Sequence, residues 1–360
     1  MNSVRKKIAI VNPTVPHYRK DFFLGVQQTI PCDVFTYEQM GDMKKNQFQV
    51  SDIFTHTLKK RRFGKFLMYE TQPLMQRDYQ TLVLMWDFSQ LSTWWLLLTK
   101  FFHGKKIILW GQGISVKRYL AEENKPNMLL KGMLGLADGA WVYMEKEAEQ
   151  WKKLFPNKRV TALNNTVSNI DGILEGRHTQ ATPELKNKYN IQEEICLIFC
   201  ARFENPNRRI DLLEALINSL DPKKYGFIII GDGIFKPDFS AYKNVHDFGA
   251  VYDKVLKDEL FGIANLYYQP GWIGLSVVEA LAYGKPVITF KRSEETLQCV
   301  EYAYIQNGYN GLIVDSLPEL TEKLVNLDNK AIELMGANAK TYAKKYLRMN
   351  QMVDKAISTL

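Results

Sequence analysis

Arg202, Arg208 and Glu279 are the residues whose types and placement could do chemistry in this chain. The two arginines follow the apolar run Ile195–Cys200, and Pro206 between them keeps their connection a loop. A guanidinium stays charged and meets phosphate oxygens through two donors at once, so this pair at a strand end suits a diphosphate. It would also stabilise charge that builds on a departing phosphate. Glu279 lies in Tyr267–Ile288, which reads as strand end, glycine loop, short helix, glycine stop and new apolar strand. Gly271 and Gly274 allow close approach of the loop to a ligand. The amides of Gly271–Leu275 and Ser276 would open the helix, whose positive end favours phosphate. Glu279, about one turn further on, is in reach of a ribose or another sugar hydroxyl. Gly231 and Gly233 end a further strand with a loop that can approach a base or ribose, and Phe248 ends the strand after it. Each of these pieces alone is also an ordinary α/β junction.

The elements that must position these residues are legible as alternating patterns. Short apolar, β-branched runs alternate with longer helical stretches, which predicts parallel α/β sheets. The first half holds strand candidates at Ile8–Val11, Asp33–Tyr37, Thr81–Met85, Lys106–Trp110, Gly139–Tyr143 and Thr161–Leu163. The second half holds Ile195–Cys200, Phe227–Ile230, Val245–Phe248, Leu266–Gln269 and Pro286–Phe290. Two such series predict two doubly wound sheets with ligands beyond the carboxyl ends of the strands. A length of 360 residues suffices for two cores. The expected division is a first domain at 1–167, a linker at 168–186, a second domain at 187–340 and a terminal helix at 341–360. The amphipathic stretch Lys330–Leu360 reads as one final helix.

Composition narrows the partners. The formal charge is +8, and the basic excess lies wholly in the first half. That favours an anionic partner there. Lys59, Lys60, Arg61, Arg62 and Lys65 form a compact basic cluster suited to an anionic membrane surface. The aromatic stretch Leu91–Phe102 reads as a core helix, because a helix apolar nearly all round is usually buried. No apolar run is long enough to span a bilayer, and no nucleic-acid motif accompanies the basic half. Cys32, Cys196, Cys200 and Cys299 lack metal-ligand spacing and read as reduced, buried thiols. A cytoplasmic protein, peripheral on the inner face of the plasma membrane, is the expected setting.

The order of the C-terminal motifs resembles the nucleotide-sugar site of GT-B glycosyltransferases, especially the retaining group called family 4. Arg202 matches the family's arginine, and Arg208 stands where a lysine is usual. Gly231, Gly233, Phe248, Gly271, Gly274, Leu275, Ser276 and Glu279 follow in the family's order as donor-binding positions. The resemblance implies two Rossmann-like domains facing across a cleft, with the C-terminal helix crossing back to the first. In the N-terminal half, His17, Tyr18 and Arg19 would face that cleft, and Gln112 and Gly113 would join them at the acceptor. Gln112 occupies a place where the family often has His. Gly271 replaces the first of two glutamates that the family spaces seven residues apart. The resemblance implies retaining, metal-independent transfer from a UDP- or GDP-sugar, with no further cofactor. The acceptor would be a saccharide of the polyprenyl-pyrophosphate-linked kind, in capsule, exopolysaccharide or O-antigen synthesis. A non-catalytic nucleotide-sugar binder and a sugar-nucleotide epimerase or hydrolase of the same fold are the alternatives.

Overall fold

The computed structural model describes residues 7–38, 56–176 and 181–360. The chain divides into two compact units, one formed by Met1–Asn169 with Met349–Leu360 and the other by Ile170–Arg348. Chain order supplies β1 (Lys7–Asn12), β2 (Cys32–Thr36), β3 (His56–Thr57), β4 (Lys60–Phe63), β5 (Phe66–Tyr69), β6 (Tyr79–Met85), β7 (Lys106–Trp110), β8 (Gly139–Val142) and β9 (Arg159–Ala162). The second unit holds β10 (Ile195–Cys200), β11 (Tyr225–Ile230), β12 (Val245–Asp247), β13 (Leu266–Tyr268), β14 (Val287–Phe290) and β15 (Gly311–Val314).

The first unit is built on a parallel sheet of order β3-β2-β1-β6-β7-β8-β9. Its inner strands are nearly continuous apolar runs because helices cover both faces. Trp110, Trp141 and Trp151 are fully buried in this unit. A separate antiparallel hairpin, β4–β5, turns at Gly64 in the left-handed region. The basic run Lys59–Lys65 therefore forms part of a hairpin.

The second unit carries a parallel sheet of order β12-β11-β10-β13-β14-β15. Strand order reverses between β10 and β13, which leaves a crevice beyond their carboxyl ends, where ligands of open α/β sheets bind. Arg202 and Arg208 follow β10, and the loop 269–275 follows β13. The apolar core of this sheet includes Leu197, Phe199, Ile229, Tyr268 and Ile288.

Two expected elements come out differently. The stretch 168–186 is not an open linker, since helices Ile170–Glu175 and Pro183–Lys188 occupy most of its described part. Residues 177–180 of that stretch lie outside the described residues. The final helix is two helices, Asn329–Tyr346 and Met349–Ile357. The break at Leu347–Arg348 is where the chain leaves the second unit and rejoins the first.

Candidate donor-substrate site

The loop after β10 is shaped by the loop after β11. Ala201 N donates to Ile230 O at 3.0 Å, and Phe203 N to Asp232 O at 2.9 Å. Gly231 and Gly233 have φ of 145° and 147°. A Cβ at Gly231 would stand 2.0 Å from Ala201 O, and one at Gly233 would stand 2.7 Å from Phe203 O. Both glycines therefore seat the turn that carries Arg202. The Asn205 side chain accepts from Asn207 N at 3.0 Å and starts the short turn Pro206–Arg208. Arg209 then adopts a left-handed φ of 57° and closes the loop.

Arg208 is the most exceptional group of the unit. Its Nε is buried and has no hydrogen-bond partner among the described residues. Burial, and then the neighbouring Arg202 guanidinium, push its pKa below the usual arginine value. A buried guanidinium nitrogen without a partner, beside a second cation, makes a place that an anion would stabilise.

Glu279, on the seven-residue helix Ser276–Ala282, is about a quarter exposed. Both its oxygens accept from Lys257 Nζ, at 2.7 and 2.8 Å. Lys257 belongs to the helix Lys254–Ile263, whose start Asp253 caps by accepting from Leu256 N at 2.7 Å. Burial by itself would lower the Lys257 pKa, but Glu279 and Cys200 together carry it above its ordinary value. Cys200 ties the locus together, for its electrostatic neighbours are Lys257, Glu279 and Arg208. Burial raises the Cys200 thiol to about 11 and the Cys299 thiol to about 12, so both are poor nucleophiles at neutral pH.

The loop after β13 is held by two buried amides. Gln269 donates to Gly271 O and Trp272 O at 3.2 and 2.8 Å, and accepts from Tyr267 and Ser276 hydroxyls at 2.7 and 2.9 Å. Gln298 donates to Pro270 O, Thr289 Oγ1 and Phe290 O, and accepts from Ile273 N at 2.9 Å. Trp272 N donates to Leu297 O at 2.7 Å. The amides of Trp272 and Ile273 are thus committed to the protein. That corrects the expectation that the whole run Gly271–Leu275 offers its N–H groups to a ligand. Gly271 is buried, and a Cβ there would meet Asn207 O at 2.5 Å and Arg209 Cγ at 3.0 Å. Gly274, Leu275 and Ser276 stay half-buried at the start of the helix. Phe248 is half-buried, with its ring edge to Tyr189 at 5.5 Å.

The first-unit candidates separate into surface and core. His17 is exposed, and its ring lies edge-on to Tyr18 at 5.5 Å. Arg19 corrects the expectation of a cleft-facing cation. It is only 7 % exposed and lies over the rings of Trp110 and Tyr143, at 5.1 and 4.8 Å. Such a cation–π arrangement makes it a packing residue. Gly113 is likewise buried, with φ of 73°, and its carbonyl accepts from Trp151 Nε1 at 3.0 Å. Gln112 is half-buried beside it. Among the described residues no group of three or more His, Cys, Asp or Glu could hold a metal ion.

Residues 194–329 match the family described as "Glycosyl transferases group 1". The fold is that of the GT-B glycosyltransferases. Solved structures align with nearly its whole length at low identity. Anabaena HepE, in complex with UDP and glucose, aligns at TM-score 0.63 and 14% identity, over 98% of this chain and 99% of its own. The lipopolysaccharide outer core galactosyltransferase WaaB, in its apo form, aligns at TM-score 0.65 and 14% identity, over 98% and 100%. A UDP-N-acetylglucosamine 2-epimerase so described from Listeria monocytogenes aligns at TM-score 0.58 and 13% identity, over 95% and 94%. Among curated proteins, none matches this sequence.

Within the second unit the tertiary structure adds residues that the sequence alone does not single out. Lys257 is one, since nothing local separates it from its helical neighbour Lys254 until Glu279 is placed opposite. Gln269 and Gln298 are others. An amide at the end of the apolar run Leu266–Tyr268 was the available signal, because a buried amide must find partners.

Proposed function

We propose that the second unit binds a UDP- or GDP-sugar with its diphosphate against Arg202 and Arg208, and that Glu279 takes a sugar or ribose hydroxyl. The observation that carries this reading is the buried, unpartnered Nε of Arg208 beside a second guanidinium, at the strand-order reversal of a Rossmann-like sheet. The UDP in the HepE complex supports a uridine nucleotide. The acceptor oxygen bonds to the anomeric carbon as the bond from that carbon to the phosphate oxygen breaks. The hydroxyl proton passes to the leaving phosphate, and the two arginines stabilise the charge left there. Transfer on this route keeps the anomeric configuration and calls for neither a protein nucleophile nor a further cofactor. The acceptor is a saccharide carried on a polyprenyl pyrophosphate, in surface polysaccharide synthesis. It is recognised by the basic first unit, with His17, Tyr18 and Gln112 as the candidate contacts. The protein works peripherally on an anionic membrane surface.

Calorimetry with UDP and GDP, without metal, tests the donor site. One nucleotide should bind, and Arg202→Ala or Arg208→Met should each weaken it roughly 10- to 100-fold, as loss of a charge-assisted hydrogen bond implies. Unaltered affinity in both variants would exclude this placement of the diphosphate. The structural likeness to an epimerase favours one second reading. Release of an epimer or a free sugar from the donor without any acceptor would establish it.

A further inference from the structure

The helix Leu91–Leu98, extended by Lys100–His103, is apolar on the face it buries and also on the face it exposes. Ser92, Thr93, Leu96 and Leu97 are buried. Trp95, Leu98, Phe101 and Phe102 recur at helical spacing on the outer side, and the last two are 93 % and 86 % exposed. No charged residue occurs between Asp87 and Lys100. The expectation of a fully buried helix is therefore corrected, for the outer stripe has no cover among the described residues. A surface helix ordinarily carries polar residues on that stripe.

The neighbouring elements carry exposed apolar side chains as well. The hairpin β4–β5 packs on this helix, with Tyr69 N donating to Ser92 Oγ at 2.8 Å. Register pairs Arg61 with Met68 and Phe63 with Phe66, so these four share one face, and all are exposed. The opposite face is spoken for, because Lys60 and Arg62 pair with Glu38. On the helix's other side lies the helix Met128–Leu136, whose Gly132 would bring a Cβ within 3.4 Å of the Trp94 ring. Met128 there is also exposed. Lys59 at the open end of the hairpin, Arg61 along it and Lys65 at its tip are exposed, without an acidic partner among the described residues.

We infer that this three-element face docks on an anionic lipid bilayer, with Phe101, Phe102 and Phe63 entering the acyl boundary while Lys59, Arg61 and Lys65 meet lipid phosphates. This deepens the membrane reading above and does not depend on the donor site. Charge complementarity selects the occupant, since a second copy of the chain would bring the same uncompensated cations together, whereas an anionic leaflet supplies both phosphate and hydrocarbon. The helix is far too short to cross, so the protein lies on the surface.

Co-sedimentation of the full chain with vesicles tests this, using phosphatidylcholine alone and phosphatidylcholine mixed with phosphatidylglycerol. The protein should pellet with the anionic vesicles and do so less as salt rises. Phe101→Ser with Phe102→Ser should weaken partitioning at least about tenfold at every salt concentration, from the lost apolar burial. Lys59→Glu, Arg61→Glu and Lys65→Glu together should abolish the preference for phosphatidylglycerol. Both variants should keep the wild-type circular dichroism spectrum. Wild-type protein left in the supernatant with both vesicle types would overturn the inference. So would a wild-type dimer in light scattering that the phenylalanine variant dissolves, with no vesicle binding, since that makes a second copy the occupant.

Discussion

Gly271 shows how one side chain's absence can be a positional requirement. The family pattern places a glutamate there, but in this chain the loop Asn205–Arg209 occupies the space a side chain would need. A Cβ would meet a backbone oxygen at 2.5 Å, so the loop carrying Arg208 would have to move. Gly271→Ala should lower stability by about 1–3 kcal/mol. It should also weaken UDP binding about tenfold, which is ~1.4 kcal/mol. Gly274→Ala is the internal control, because its Cβ would have only Cys299 Sγ nearby, at 4.0 Å. Thermal melts and calorimetry on both variants decide the matter. Equal affinity in the two would mean that the loop is not part of the donor site. Glu279 and Lys257 make the complementary point, since an ion pair of this kind fixes the carboxylate before any ligand arrives.

At the scale of elements, the turn from the Glu279 helix into β14 combines close packing with a disfavoured charge. Gly284, with φ of 70°, donates to Leu281 O at 3.0 Å, and Lys285 N donates to Ala280 O at 2.8 Å, which together form a Schellman cap. A Cβ on Gly336 of the helix Asn329–Tyr346 would stand 2.6 Å from Gly284 O, so the two elements meet backbone to backbone. Lys285 pays for this closeness. Burial lowers its pKa from 10.5 to about 8, although Nζ still donates to Ala264 O at 2.6 Å. The folded state therefore holds this proton less tightly than the unfolded chain does. Its penalty is full below pH 8 and fades as pH rises through 8 toward 10.5. Lys285→Met should raise the unfolding free energy at pH 7 by about 1–2 kcal/mol, less than the bare shift implies because a hydrogen bond is lost with the charge. In urea titrations across pH, that advantage should shrink toward pH 10. A constant difference would show that Lys285 does not titrate in this window.

For the whole molecule, the two units are joined by a chain that leaves the first and later returns to it. The segment Met349–Leu360 is the returning part. Met352, Val353 and Ala356 are buried, and Trp141 Nε1 donates to Thr359 Oγ1 at 2.6 Å while Lys106 Nζ donates to Thr359 O at 2.9 Å. Gly25 has no room for a side chain because Val353 Cγ2 would lie 2.8 Å from its Cβ. Removing residues 349–360 should therefore destabilise the first unit by several kcal/mol, about 3 or more, as buried apolar side chains are lost. Six of the seven tryptophans, all but Trp272, belong to that unit, so indole fluorescence in urea reports on it. The unfolding midpoint should fall while UDP binding by the second unit persists. An unchanged midpoint would mean that the segment adds nothing to the first unit's stability.

The sheets were legible from residue order because buried parallel strands must be apolar on both faces, and runs such as Ile195–Cys200 and Lys106–Trp110 are. The two arginines behind β10 and the glycine loop behind β13 were legible for a related reason. Loops at strand ends keep their chemistry in local order, and a close backbone approach needs glycine. Arg19 and Leu91–Phe102 were misread because local sequence does not say which side of an element meets the core. A cation can be buried if aromatic rings receive it, and an apolar stripe can be left in the open. Lys257, the space over Gly271 and the return of Met349–Leu360 to the first unit depend on residues brought together from distant parts of the chain. Only tertiary packing decides such pairings, because their energies come from contacts that do not exist until both partners are in place.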